Sequence, residues 1–218
     1  MIRTVSIVPT ILSDNKQEYR EQVEKINAFT RRVQIDVTDG EFAPATTLDV
    51  TNVWWPKNWE ADLHLMAARP SECVDTILKL SPSLCILHAE ANEDLLPTLN
   101  TLKEAGIKTG VALLPSTYPG DVKQYIGAVD HVLIFAGQLG VQGGQPDLMQ
   151  MEKIPLVRNM KPELEIGWDG GANINNVRAL AHADLDVINV GSAIALAPDP
   201  AEMFQELVAE IDKNGVVL

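Results

Sequence analysis

Residues 33–40 read V-Q-I-D-V-T-D-G. Side chains two apart on a strand share a face. Gln34, Asp36 and Thr38 therefore project together, and Val33, Ile35 and Val37 project the other way. A carboxylate held among apolar residues is costly unless it is paired, hydrogen-bonded or bound to a metal. Asp36 is thus either a satisfied polar plug or a group kept for chemistry. A second acid, Asp169, ends another apolar run in W-D-G-G (168–171), and His64 in D-L-H-L-M (62–66) has the parity to face the same interior. Two carboxylates on opposite walls can address opposite faces of a flat intermediate. One removes a proton and the other returns it from the far side, which is acid–base epimerisation. His64 is then either a satisfied core histidine or, beside these two acids, a metal ligand.

Glycines collect near these groups. G-Q-L-G-V-Q-G-G-Q (137–145) contains Gly143, Gly144 and Gln145; Gly170 and Gly171 follow Asp169; Gly191 precedes Ser192. Such loops bare backbone N–H groups to an anion. A bland flexible loop would explain 137–145 alone, but less easily three glycine clusters, so phosphate binding is expected here. Thr10, Met66, His88 and Glu90 also fall at the ends of strand-like runs.

The elements that would position these residues alternate along the chain. Strand patterns occupy 4–10, 32–37, 60–66, 84–89, 108–114, 131–135, 164–168 and 186–190. Helical patterns lie between them, among them 14–29 with Asp14 as N-cap, 70–80, 92–106 ending at Gly106, 173–183 and 200–211. Strand and helix in turn, eight times over, predict a parallel sheet closed into a (β/α)8 TIM barrel, a single α/β domain over 1–218. In that fold chemistry sits at the carboxyl-terminal ends of the strands, with phosphate at the loops after strands seven and eight. V-W-W-P-K-N-W (53–59) is expected to pack the outside of the barrel or a subunit contact.

Composition narrows the function. Seventeen Lys+Arg against 30 Asp+Glu leave a formal charge of −13 in 218 residues. That argues against nucleic acid and anionic membranes, which are bound by cationic surface, and leaves room for a small anion held by backbone amides. No run approaches the ~20 apolar residues of a membrane span, and the N-terminus does not read as a signal peptide. Two cysteines, Cys73 and Cys85, with no CxxC, read as buried thiols of a reducing compartment. A cytoplasmic protein is expected.

Over nearly its whole length the chain resembles the ribulose-phosphate 3-epimerases. V-P-T-I-L-S is similar to the family's V-P-S-I-L-S, and V-Q-I-D-V-T-D-G-E-F to H-V-D-V-M-D-G-x-F. A-D-L-H-L-M, L-H-A-E-A, G-V-A-L-L-P, G-V-Q-G-G-Q, W-D-G-G and V-G-S-A-I have counterparts in the same order. The resemblance implies proton transfer at C3 of a pentulose 5-phosphate through an enediolate. Asp36 and Asp169 match its acid and base, and the same two match ligands of a divalent metal together with His64. It also implies a sugar-phosphate partner bound near Thr10, Met66 and the glycine clusters, and a homo-oligomer.

The family's second ligand histidine falls on Gln34. A carboxamide oxygen is a neutral, harder and weaker ligand than imidazole. Gln34 should therefore weaken the site, shift it from Zn or Fe toward Mn or Mg, or cost it the metal. Thr38 and Phe135 stand where the family has methionines, and Ala45 where it has an asparagine. The loop after strand six is one residue longer. An active 3-epimerase and a diverged sugar-phosphate-binding barrel without turnover both remain open. A Schiff-base aldolase lacks its strand-end lysine, and D-V-T-D lacks the lysine of the D-x-K-x-x-D decarboxylase pattern.

Overall fold

The computed structural model describes residues 4–213 apart from Thr46 and Gln142. Eight parallel strands close on themselves in chain order. They are β1 (Ser6–Ile11), β2 (Arg32–Thr38), β3 (Glu60–Met66), β4 (Leu84–His88), β5 (Lys108–Leu113), β6 (His131–Phe135), β7 (Glu165–Asp169) and β8 (Val187–Val190). Each expected strand is present, within two residues at either end. The helices are α1 (Lys16–Ile26), α2 (Val74–Leu80), α3 (Leu96–Glu104), α4 (Lys123–Ala128), α5 (Lys153–Met160), α6 (Val177–Ala181), α7 (Ser192–Ala195) and α8 (Pro200–Ile211). Among the described residues no helix is long and apolar enough to cross a membrane.

Three local expectations need correction. The N-cap of α1 is Asn15, not Asp14: the Asn15 side chain accepts from the N–H groups of Gln17 and Glu18. Strand and helix do not alternate eight times, because no helix occupies the described residues between β2 and β3. Gly40 (φ 76°), Pro44 and Pro56 interrupt that stretch, and each resists a continuous helix. Its aromatic segment covers the barrel instead. Val53 and Trp59 are buried, and Trp54 packs edge-on against Tyr19 of α1, which donates its hydroxyl to the Trp54 carbonyl at 2.6 Å. Finally, Cys85 is a buried thiol, whereas Cys73 is only partly covered; both are free.

Parity sorts the strand residues as expected. Val33, Ile35 and Val37 belong to the large apolar core beneath the helices, together with Ile7, Ile11, Leu63, Leu87 and Ile134. Leu84, Ile86, Ala112 and Leu133 form a smaller apolar cluster inside the barrel. Below them an ion network closes the bottom. Arg32 donates to Asp62 at 2.8 Å and to both oxygens of Glu165, and His131 Nδ1 lies 2.8 Å from Glu165. The top is left polar, and there the barrel opens.

Candidate active site

Asp36, His64 and Asp169 meet at the mouth. Asp36 and His64 are paired in register across β2 and β3. Asp169 reaches the same place from β7, three strands away round the closed ring. One carboxylate oxygen of each acid and one ring nitrogen of His64 all lie within 4.8 Å of one another. His64 Nδ1 is 3.0 Å from Asp36 Oδ1 and 3.5 Å from Asp169 Oδ2. Gln34, one inward step below Asp36, is fully buried, and its Nε2 donates to Asp36 Oδ1 at 2.8 Å and to Asp169 Oδ2 at 2.7 Å.

Burial and charge set the protonation of this group. Asp169 is pushed up to about 7, first by burial and then by the negative charge of Asp36 beside it. A carboxyl that titrates near neutrality can give and take a proton. Burial alone would lower the His64 imidazole, but the hydrogen bond to Asp36 and the charges of both acids outweigh it and raise its pKa. His88 is lowered to about 4 by burial, with the charge of His64 adding to the effect.

His88 and Glu90, at the end of β4, complete the arrangement. His64 Nε2 is 2.9 Å from His88 Nε2, and His88 Nδ1 is 3.4 Å from Glu90 Oε2. Glu90 in turn accepts from Leu114 N at 2.9 Å and from the Thr117 hydroxyl. With His88 neutral and its proton on Nδ1 facing Glu90, its Nε2 accepts a hydrogen bond from His64 Nε2–H. That leaves His64 Nδ1 as the nitrogen turned to the acids. Such outer partners fix the tautomer and orientation of a ligating imidazole. Phe42 packs on His88 at 4.7 Å between ring centroids, and Phe135 covers both imidazoles. The sequence cue was H-x-E at the end of β4, the same two-residue parity that marked Gln34 and Asp36.

A cleft opens above the acids. Thr10, Asp36, His64 and Met66 line one side. Gly137, Gly143, Asp169, Gly170, Gly171, Gly191 and Ser192 line the other. Of the residues expected at the site, Gln34, Gly144 and Gln145 do not line it. Gln34 is beneath the acids, Gln145 is exposed, and Gly144 supports the wall. A Cβ on Gly171 (φ 65°) would meet Pro146 N at 2.6 Å and Gly144 O at 3.0 Å, and one on Gly170 (φ 126°) would meet Gly137 N at 2.2 Å. The glycines after β7 thus let the loop after β6 lie directly on them. Among the described residues no lysine or arginine lines the cleft. Lys153, buried at the start of α5, spends its ammonium group on the Leu114 and Pro115 carbonyls.

Asp36, His64 and Asp169 form a set that could hold a divalent metal. Two carboxylates and an imidazole suit an ion of the Mn, Fe or Zn kind, and three protein ligands are enough for a catalytic site. Gln34 faces the acids with its NH₂, while its Oε1 is buried with no partner. A half-turn of that amide exchanges donor for acceptor and would add a fourth ligand atom, an oxygen.

Comparison with known proteins agrees with this geometry. Residues 6–195 match the Ribulose-phosphate 3 epimerase family. The ribulose-phosphate 3-epimerase of Synechocystis sp. is 30% identical, over 93% of this chain and 92% of its own. That of Escherichia coli K12 is 29% identical, over 95% and 96%. Among solved structures, 3-hexulose-6-phosphate synthase from Salmonella typhimurium superposes with a TM-score of 0.69 at 16% identity. It covers 95% of this chain and 98% of its own, a likeness of fold alone. Matched along almost its full length, with an acid pair and an imidazole converging where the strands end, the protein belongs to the ribulose-phosphate 3-epimerase family.

Proposed function

We propose that the protein is a ketose-phosphate 3-epimerase acting on D-ribulose 5-phosphate or a close analogue. The observation that carries this reading is the pairing of Asp36 with Asp169, one of which is held near a neutral pKa. Asp36 takes the C3 proton from one face and Asp169 delivers a proton to the other. In the reverse direction they exchange roles. The intermediate is an enediolate, planar at C3, so either face can be reprotonated. His64 and Gln34 hold the carboxylates in place, and the His88–Glu90 pair holds His64. The phosphate lies against the backbone N–H groups of Gly143, Gly170, Gly171 and Gly191 and the Ser192 hydroxyl, within a neutral wall that needs no lysine. Gln145 and Gly144 shape that wall. Asp36, His64 and Asp169, with Gln34 turned to present oxygen, would hold the divalent metal. When bound it would act as a Lewis acid toward the developing negative charge.

Deuterium exchange tests the reading. Protein incubated with D-ribulose 5-phosphate in deuterated water, with Mn²⁺, Zn²⁺, Fe²⁺ or Mg²⁺, should place deuterium at C3, and Asp36→Asn should stop it with the fold intact. No label at C3 with any metal overturns the proposal for this substrate. A second reading, a sugar-phosphate-binding barrel with little turnover, draws on the Gln34 amide, which donates to both acids at once. A stoichiometric transition metal in freshly purified protein counts against it.

A further inference from the structure

Buried polar atoms in folded proteins are almost always hydrogen-bonded, so an orphan calls for a reason. Of the buried, unpartnered side-chain atoms among the described residues, Asn189 Oδ1 alone belongs to a residue that lines the cleft. Asn189 is 2% exposed. It lies on β8, where Ile188 and Val190 join the core beneath the helices, so Val187, Asn189 and Gly191 share the inward face. Its register partner on β7 is Asp169, and its partner on β1 is Val8. Two residues beyond it on the same face, Gly191 leads into Ser192.

The amide therefore stands between one acid of the catalytic pair and the glycine–serine end of the cleft. An apolar side chain would fill this position without burying an unpaired oxygen, as Val187 does one inward step below. A neutral group offering both donor and acceptor suits a hydroxyl, which is also both. It suits a phosphate less well, because phosphate oxygens only accept.

This inference rests on the proposed ketose-phosphate reading. There the acid pair fixes C3 and the glycine loops fix the phosphoester carbon, C5. The carbon between them is C4. We propose that Asn189 binds the C4 hydroxyl of the sugar phosphate and so selects the configuration at C4.

Calorimetric binding to wild type and N189L tests this with three probes: inorganic phosphate, D-ribulose 5-phosphate and its C4 epimer L-xylulose 5-phosphate. Epimerisation at C3 during the measurement leaves C4 untouched, so turnover does not blur the comparison. Wild type should favour D-ribulose 5-phosphate over the C4 epimer by about 10-fold, the worth of a good hydrogen bond. In N189L that preference should fall to within about 3-fold. Affinity for inorganic phosphate should stay within about 2-fold, because the phosphate loops are untouched, and the melting temperature should hold or rise, because an unpaired buried oxygen is gone. N189S is the second variant should leucine pack badly, and it should lose the same preference. Retention of the C4 preference by a folded N189L or N189S overturns this inference alone. Wild type that binds neither sugar phosphate overturns the functional reading with it.

Discussion

Asp169→Asn separates the chemistry of the site from its stability. Asparagine keeps the size and an acceptor for Gln34 Nε2, now 2.7 Å from Asp169 Oδ2, but it has no proton to exchange. As an acid with a raised folded pKa, Asp169 binds its proton more tightly in the folded chain than in the unfolded one, so its contribution to stability falls as pH rises. The loss begins near the ordinary value of 3.8 and levels off above about 7. Three units at ~1.4 kcal/mol each set an upper limit of about 4 kcal/mol at pH 8, against about 2 kcal/mol at pH 5. The raised pKa of His64 acts in the same direction, its contribution fading as pH rises above the ordinary histidine value of 6.5. D169N removes the Asp169 penalty and part of the His64 effect. It should therefore be more stable than wild type at pH 8, with the gain shrinking by about 2 kcal/mol at pH 5. Urea unfolding of both proteins with a chelator present, at the two pH values, measures this. C3 exchange should fall at least ~10²-fold in the same variant, the usual contribution of a positioned general acid or base. A gain in stability that is the same at pH 5 and pH 8, or a loss at both, would refute the claim that this carboxyl is strained by burial beside Asp36.

Other perturbations probe separate parts of the site. Gln34→His should raise affinity for Mn²⁺ or Zn²⁺ by about 10-fold or more, measured by metal titration, since imidazole is the better ligand; weaker binding of every divalent metal would show that Gln34 does not stand beside the ion. Gly171→Ala should lower the melting temperature and weaken binding of inorganic phosphate. A methyl group at φ 65° costs ~1–2 kcal/mol in backbone strain and also meets Pro146 N at 2.6 Å, so unchanged phosphate binding would remove this loop from the anion site.

Much of this protein was legible because strand parity is a strictly local rule. Alternation within V-Q-I-D-V-T put Gln34 and Asp36 on one face, and they do share it, under a helix layer that takes Val33, Ile35 and Val37. Eight β-rich runs at βα spacing imposed the closed barrel, because parallel neighbours need crossovers and eight of them complete a ring. The glycine clusters point to an anion site in the sequence; the structure adds that Gly170 and Gly171 let the loop after β6 lie directly on them. Regular spacing predicts a helix between β2 and β3 as well, but Gly40, Pro44 and Pro56 interrupt that stretch.

What the chain alone determined, then, is which residues face the interior. Which of them touch is decided by the closure of the ring, which sets β7 beside β8, β8 beside β1, and so brings Asp169 to a glutamine 135 positions away. The Gln34 Nε2 bond to Asp169 and the meeting of His64 with His88 are contacts between strands. No local pattern encodes them, because a side chain's hydrogen-bond partner depends on distances of about 3 Å across a barrel whose register is fixed only when all eight strands are paired.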